Sequence, residues 1–319
     1  MRTPFDTASR ASNRWDNQHV LVTGCRGFIG GALTRRLTSL GAHLILPVRP
    51  NTPAPEIFTN LKQIVVQEIS LSNVPIMEQI IRQYRVKTVF HMAANNDNRD
   101  TKGSPLSIFE DNIRATYSIL EACRRSCIDR VVLASSQESD RQLHKSGAKM
   151  HPYGASKAST ELVARSYVES YALPVIVVKP DNVYGPGDLN FRRLIPSTIM
   201  ELLRREKLKF NGNPNTERGF IYIDDLIDAL LIVGDTRTGS LPSDCIINLH
   251  ARELHRIGDI LSLLEKLTKT ASKKPHTNIE IRSNPSPKTL AISDWQATVP
   301  LNEGLQQTIA YYRNKLAPN

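Results

Sequence analysis

Long apolar runs are missing from this chain. No segment approaches the ~18 continuous apolar residues of a membrane-spanning helix, and residues 1–17 lack the apolar stretch of a secretory leader. A cytoplasmic location with no membrane partner is the expectation. Cysteine is scarce: Cys25, Cys123, Cys127 and Cys245 show no paired metal-ligand spacing, so free thiols and no metal site are expected. Cys123 and Cys127, four apart, read as lining one buried helix face. Aromatic residues make up only 6%, and neither an internal repeat nor a nucleic-acid-binding module is recognisable. The net charge of +10 is dispersed rather than gathered into a tract, which points to small anionic ligands and away from nucleic acid. What the chain does have is length. Its 319 residues, 40% of them hydrophobic, can build one large α/β domain and a smaller one.

The first readable chemistry follows a polar, irregular lead over 1–17, which reads as a strap over the first strand or a free end. His19-Val20-Leu21-Val22 is a short buried strand, Thr23-Gly24-Cys25-Arg26-Gly27-Phe28-Ile29-Gly30 a glycine turn, and Leu33, Leu37 and Leu40 continue at helical spacing. Strand, glycine turn and helix together form a pyrophosphate cradle: the glycines let the backbone come close, and the helix N-terminus offers free N–H groups to an anion. Gly24, Gly27, Phe28 and Ile29 are the cofactor-binding candidates here. The second strand, His43 to Val48, ends at Arg49, where an NAD site usually presents a carboxylate to the ribose 2′-hydroxyl. A guanidinium there pairs with a 2′-phosphate, so NADP is favoured and NAD remains possible; the alternative is an exposed loop arginine. Glu68, after Val65-Val66, is placed to approach the adenine.

Further on, Thr88 to His91 is another strand, and the small residues after it, Ala93 among them, let backbone lie against a cofactor. His91 itself reads as structural. A helix spans about 105–126, and the strand Arg130 to Ala134 leads to Ser135-Ser136. Ser136 is the candidate for holding a substrate alcohol, with Ser135 facing the core. The pair Tyr153 and Lys157 opens a helix patterned by Leu162, Val163, Tyr167, Val168 and Tyr171, which ends before Leu173-Pro174. Four residues apart, phenol and ammonium share one helical face. A fixed cation favours the phenolate, and lowering a tyrosine pKa by two or three units from ~10 asks for ~3 to 4 kcal/mol. Tyr153 can then act as a general acid/base. Asp224-Asp225 reads as a helix cap complementing the dipole.

Several ordered segments resemble the extended short-chain dehydrogenase/reductases, the NAD-dependent epimerase/dehydratase family, most of which modify nucleotide sugars. They are TGCRGFIG (23–30), HMAA (91–94), DNIRATYSILEAC (111–123), SS (135–136), PYGASK (152–157), KPDNVYGPGD (179–188) and ERGFIYIDD (217–225). The resemblance covers about 18–315. It implies an α/β fold, a Rossmann-type doubly wound parallel sheet with a smaller C-terminal α/β substrate domain. The first domain would take 18–180 with 222–250 returning to it; the second would take 181–221 and 251–319. It implies a Ser136, Tyr153 and Lys157 triad, a proton relay supported by Asn112, and a homodimer through the helices at 105–126 and 153–172. It also implies a nucleotide-diphosphate sugar partner. Asn182 and Arg218 would lie at the diphosphate, a guanidinium fork suiting phosphate oxygens, with Leu194-Ile195-Pro196 beside the base.

The expected chemistry is hydride transfer between nicotinamide and a sugar carbon, with Tyr153 moving the hydroxyl proton, Lys157 holding phenolate and ribose, and Ser136 orienting the oxygen. Glu138 stays available at the substrate as a base. The family's dehydratases carry Asp-Glu after the hydroxyl residue, whereas this chain has Gln137-Glu138, which disfavours elimination. Epimerase is the first reading; an NADPH-dependent 4-ketosugar reductase is the alternative, ahead of a 4,6-dehydratase. Two departures, Ser139-Asp140-Arg141 and Leu249-His250-Ala251, lie near the expected substrate and keep the sugar from being inherited. A non-catalytic NADP-binding regulator on the same fold is the reading from another class.

Overall fold

The computed structural model describes residues 14–53, 55–59, 61–96, 105–140, 151–235, 242, 244–270 and 295–316. Residues 1–13 of the lead, Arg141 and the part of the basic loop from 271 onwards lie outside them. The chain divides into two units: 14–179 with 227–248, and 180–226 with 249–270 and 295–316.

The first unit is built on strands that are mostly apolar, as a sheet covered on both faces requires. In chain order its elements are β1 (His19–Thr23), α1 (Phe28–Ser39), β2 (His43–Val48), β3 (Ile64–Glu68), α2 (Val74–Gln83), β4 (Thr88–His91), α3 (Leu106–Phe109), a π-helical turn (Glu110–Arg114), α4 (Ala115–Arg125), β5 (Arg130–Ala134), α5 (Pro152–Tyr171) and β6 (Val175–Pro180). A seven-stranded sheet runs β3-β2-β1-β4-β5-β6-β9, its last strand being Ile246–Leu249. The pairs through β6 are parallel, and the order reverses between β1 and β4. That reversal opens a crevice at the carboxyl ends of the strands, where ligands of doubly wound folds bind. One core, including Leu21, Ile45, Val89, Ile119, Val131 and Val177, joins the sheet to α2, α4 and α5.

Local chemistry sets the helix ends. The Asn73 side chain accepts the Ile76 N–H and caps α2, while the His151 ring accepts the Tyr153 N–H and caps α5. Ala172, left-handed at φ 52°, stops α5 before Leu173-Pro174. Trp15 is buried and its ring centre lies 5.8 Å from that of Phe90, so the end of the lead packs against β4.

Three sequence expectations change here. The helix expected over 105–126 is interrupted by the π turn. Cys127 does not share a helix face with Cys123: it follows the end of α4, exposed and at φ 51°, while Cys123 is fully buried. The helix end turns the chain away before a fourth-residue neighbour can form. Leu162 and Tyr171, part of the apolar pattern of α5, are 61% and 58% exposed.

The second unit contains β7 (Asn182–Tyr184), α6 (Leu194–Leu203), β8 (Glu217–Tyr222), the start of α7 (Ile223–Asp235), then β10 (Leu254–Arg256), α8 (Ile257–Thr268) and α9 (Leu301–Leu316). Its three-stranded sheet runs β10-β8-β7, antiparallel then parallel. Asp225 lies in the first turn of α7, where a carboxylate complements the helix dipole, but its oxygens are not capping. They accept the Thr298 N–H and hydroxyl and the Val299 N–H at 2.7–3.0 Å, and Trp295 donates to the Asp225 carbonyl. The residue therefore fastens the returning segment 295–299. No described helix is long and apolar enough to cross a membrane.

Candidate active site

The glycine turn comes first because its shape is dictated by backbone contact. Gly24 sits at φ +76°, and a Cβ there would meet the Ala93 nitrogen at 2.8 Å; any side chain would push β1 and β4 apart. Gly27 donates to the Gly24 carbonyl at 2.8 Å and precedes α1, whose first turn has no side-chain cap and no acidic residue. The N–H groups of Phe28 and Ile29 thus open α1 with their dipole uncompensated, which suits an anion. A dinucleotide pyrophosphate fits this cradle. At the rim, Arg49 is 73% exposed and its guanidinium lies 3.6 Å from Asp111, and Glu68 is exposed at the end of β3.

Below the cradle, His91 is buried and held on both sides. Its Nδ1 lies 2.8 Å from the Thr23 hydroxyl and its Nε2 3.1 Å from that of Thr116. Thr23 also accepts the Ala93 N–H, so one hydroxyl joins the ring to the backbone after β4. Burial, with the Lys157 charge nearby, pushes the His91 pKa down to about 3. A neutral, twice-bonded ring is a structural post, as the sequence suggested.

Asn112 occupies the π turn, a distortion that commonly marks functional positions. Its amide accepts the Asn95 N–H (2.6 Å) and donates to the Asn95 carbonyl (2.9 Å) and the Ser156 hydroxyl (2.8 Å); Ser156 in turn donates to the Tyr153 carbonyl. One buried side chain therefore ties the end of β4 to the first turn of α5.

Lys157 is 4% exposed and donates to the Ala134 carbonyl at 2.8 Å, which fixes its ammonium at the end of β5, two residues before Ser136. Burial lowers its pKa to about 8, opposed by the Glu161 carboxylate one turn further on. At neutral pH it remains a cation, the form needed beside a phenolate. Ser136 is half-buried and accepts the Glu138 N–H at 3.3 Å, whereas Ser135 is buried and donates to Glu161. The two serines thus divide as expected, one outward and one into the interior.

Residues that sequence reasoning missed sit beneath this turn. Glu161 receives the hydroxyls of Ser135 and Ser139 on one oxygen, and Lys179, 3.2 Å from the other oxygen, also reaches Asp140 at 2.5 Å. Gln137 donates to the Lys179 carbonyl at 3.1 Å. The signal was available: Tyr153, Lys157 and Glu161 recur every four residues, and a lysine follows four apolar residues in Val175 to Lys179.

In the second unit, Asn182 on β7 is exposed and donates to the Gly219 carbonyl of β8 at 3.0 Å. Arg218, on β8, is half-buried, donates to its neighbour's carbonyl, and stands opposite His255 of β10. The structure therefore brings Asn182 and Arg218 onto paired strands. Asp181 accepts the Ala251 N–H at 2.9 Å and lies 3.5 Å from the His250 ring, so one of this chain's departures, Leu249-His250-Ala251, is tied to the segment that follows β6. Ile195 and Pro196 are buried in α6. No group of three or more metal-ligating side chains occurs among the described residues.

A family model described as the NAD dependent epimerase/dehydratase family matches residues 20–248. The chain belongs to this family. Its members here are nucleotide-sugar enzymes of the extended short-chain dehydrogenase/reductase type. The chain is 27% identical over 241 residues to a dTDP-D-glucose 4,6-dehydratase of Dictyostelium discoideum, covering 68% of this chain and 55% of that one. It is 26% identical over 334 residues to a dTDP-4-dehydro-6-deoxy-D-allose reductase of a Streptomyces species, covering 95% and 98%. A solved UDP-glucose 4-epimerase of Thermus thermophilus, in complex with NAD, superposes with a TM-score of 0.76 at 24% identity over 94% of this chain and 100% of that one. The chain spans about half the length, 55% and 47%, of the first two relatives it matches. The names of these three relatives thus carry three different reactions.

Proposed function

We propose that this protein is an NAD(P)-dependent nucleotide-sugar oxidoreductase working by hydride transfer at a sugar carbinol or ketone, and that it is an epimerase. The observation that carries the reading is Lys157: a buried ammonium on the same face of α5 as Tyr153, held by the carbonyl of Ala134, two residues before an outward Ser136. A cation held there lowers the cost of the Tyr153 phenolate. Tyr153 takes the proton of the reacting hydroxyl and returns it to the carbonyl oxygen, and Ser136 hydrogen-bonds that oxygen. Bound in the glycine cradle against Ala93, a nicotinamide dinucleotide supplies the hydride acceptor. Lys157 also binds its ribose, Glu68 approaches its adenine, and Arg49 gives a preference for the 2′-phosphate of NADP. In the second unit, Arg218 and Asn182 hold the sugar's diphosphate. Glu138 faces the sugar.

Gln137, spent on the Lys179 carbonyl, stands where the family's dehydratases have an acid, which argues against elimination. A 4-ketosugar reductase is the second reading, favoured by the full-length match to a reductase. A homodimer and a cytoplasmic location complete the proposal; Leu106, Tyr117, Leu162 and Tyr171 are large apolar side chains exposed on α3, α4 and α5, the helices through which the resemblance implies self-association.

The test joins two measurements. Mass spectrometry of nucleotide released from freshly purified protein is expected to find NADP, or NAD, near one per chain, the mark of a cofactor recycled within each turnover. An empty protein that binds NADPH reversibly selects the reductase. With UDP- and dTDP-hexoses as substrates, Tyr153→Phe and Ser136→Ala are each expected to lower kcat by about 10²–10⁴ with the fold intact. Near-normal turnover in either removes that residue from the mechanism. A cofactor-dependent change in partner binding with no sugar nucleotide bound or turned over selects the regulator.

A further inference from the structure

Glu161 lies on the same face of α5 as Tyr153 and Lys157, which precede it by two turns and one. It is 5% exposed, an unfavourable place for a carboxylate unless its oxygens are occupied. They are fully used. One oxygen takes the hydroxyls of Ser135 and Ser139, which bracket Ser136 and Glu138 in the turn after β5. The other faces the Lys179 ammonium at 3.2 Å. The Ser139 backbone N–H donates to the Ser136 carbonyl at 3.0 Å, so the turn is closed on itself and then pinned to the helix. The charges meeting at this point come from neighbouring elements: Lys157 and Glu161 from α5, Lys179 from β6 and Asp140 from the turn, while His91 of β4 feels the Lys157 charge and Cys245, which precedes β9, feels chiefly Asp244, Arg165 and Glu169 and only weakly Glu161. His91 is neutral and the Cys245 thiol is pushed up to about 11, so at neutral pH two lysines face two carboxylates.

We propose that Glu161 is a positioning residue for the Ser136, Tyr153 and Lys157 site, a single carboxylate that pins the serine-bearing turn to α5 and keeps the neighbouring lysine positively charged. The catalytic part of this inference rests on the function proposed above; the link between Glu161 and Lys157 does not. Removing the charge while keeping the size, in Glu161→Gln, takes a buried carboxylate from the same helix face as the buried Lys157 ammonium, whose hydrogen bond to the Ala134 carbonyl stays. Its proton is then lost at lower pH. Glu161→Asp keeps the charge but shortens the reach to Ser135 and Ser139, so the two duties separate.

The experiment is a double-mutant cycle of Lys157→Met and Glu161→Gln in the full chain, read as the urea midpoint at about pH 6.5 and about pH 9.5. At the lower pH, Glu161→Gln is expected to lower the midpoint more when Lys157 is present than in the Lys157→Met background. At the higher pH the two losses converge, because Lys157 has given up its proton. Equal losses at both pH values overturn the proposal and leave Glu161 a buried anchor only. In turnover assays the alkaline limb of kcat/KM is expected to move down by about one pH unit in Glu161→Gln and to stay in place in Glu161→Asp, with kcat lowered about tenfold in the latter. An unmoved limb in Glu161→Gln also overturns it. Should Glu161→Gln fail to fold, Ser139→Ala removes one bond of the pin: a lower kcat with unchanged KM supports the turn-holding duty, and an unchanged kcat refutes it. A pH-dependent cycle together with full activity in Tyr153→Phe would uphold the link to Lys157 and sink the catalytic reading alone.

Discussion

The site residues of the first unit and those of the second are held in opposite ways. His91, Asn112, Lys157 and Glu161 are buried, and each has its polar atoms bound by protein. Asn182 is exposed and Arg218 only half-buried, each giving a bond to a strand carbonyl. Burying a polar group without a partner costs a few kcal/mol, so the first set is fixed before any ligand arrives. The second set lies nearer the surface, within reach of whatever binds. On the proposed function, a prearranged scaffold would choose the reaction and a more exposed surface the substrate.

That contrast can be broken at graded points. Lys157→Met should be the most damaging of these to turnover, lowering kcat by about 10³ because in the proposed mechanism the phenolate depends on that ammonium; steady-state kinetics with the sugar-nucleotide substrate checks it. Gly24→Ala should come next. Its left-handed φ and the contact with the Ala93 backbone predict a loss of about 2–4 kcal/mol in urea unfolding and of nucleotide binding by calorimetry.

His91 gives the contrast a pH axis. Its pKa is about 3 in the folded chain against an ordinary 6.5, so below 6.5 the unfolded chain takes up a proton that the folded one refuses. Stability should be complete above that value and fall by up to about 1.4 kcal/mol per pH unit as pH drops from 6.5 toward 3. His91→Gln should flatten this slope while lowering stability at neutral pH, which unfolding curves at about pH 7.5 and about pH 5 will show.

The second unit should respond only in affinity. Arg218→Ala is expected to raise KM about tenfold or more and leave kcat and the unfolding midpoint almost unchanged. Arg49→Ala should have the smallest effect: a few-fold loss of NADP over NAD preference, with stability within about 0.5 kcal/mol, since its pairing with Asp111 is exposed. A large fall in stability from Arg218→Ala would erase the distinction between the two regions.

The parts legible in the sequence were those where a physical requirement leaves one solution. Apolar runs such as Val175 to Val178 must be buried strands, and a glycine turn between strand and helix has few other uses. Ser135 and Ser136 could be assigned to inside and outside because adjacent residues at a strand end point to opposite sides. What could not be read was pairing across distance. Asp225 looked like a cap because the partners of its oxygens, Thr298 and Val299, are 73 and 74 residues away. Glu161 looked like any helix glutamate, and the three-stranded sheet of the second unit joins segments too short to announce themselves. Cys127 failed for a local reason, since the left-handed residue ending the helix is one the periodicity does not foresee.

The π turn at Glu110–Arg114 is best understood as a phase shift. A π turn holds one residue more than an α-helical turn, and one residue corresponds to about 100° of rotation, so α3 and α4 read their faces from different origins. Deleting a single residue from this turn would restore an unbroken α-helix, yet it would swing Asn112 out of line with Asn95 and Ser156 or turn the whole of α3 about its axis. A length change of one, harmless to helix formation, would then be felt at both cofactor strand and tyrosine helix. Insertions and deletions in this stretch are therefore constrained by the site's geometry and not by the helix that contains it.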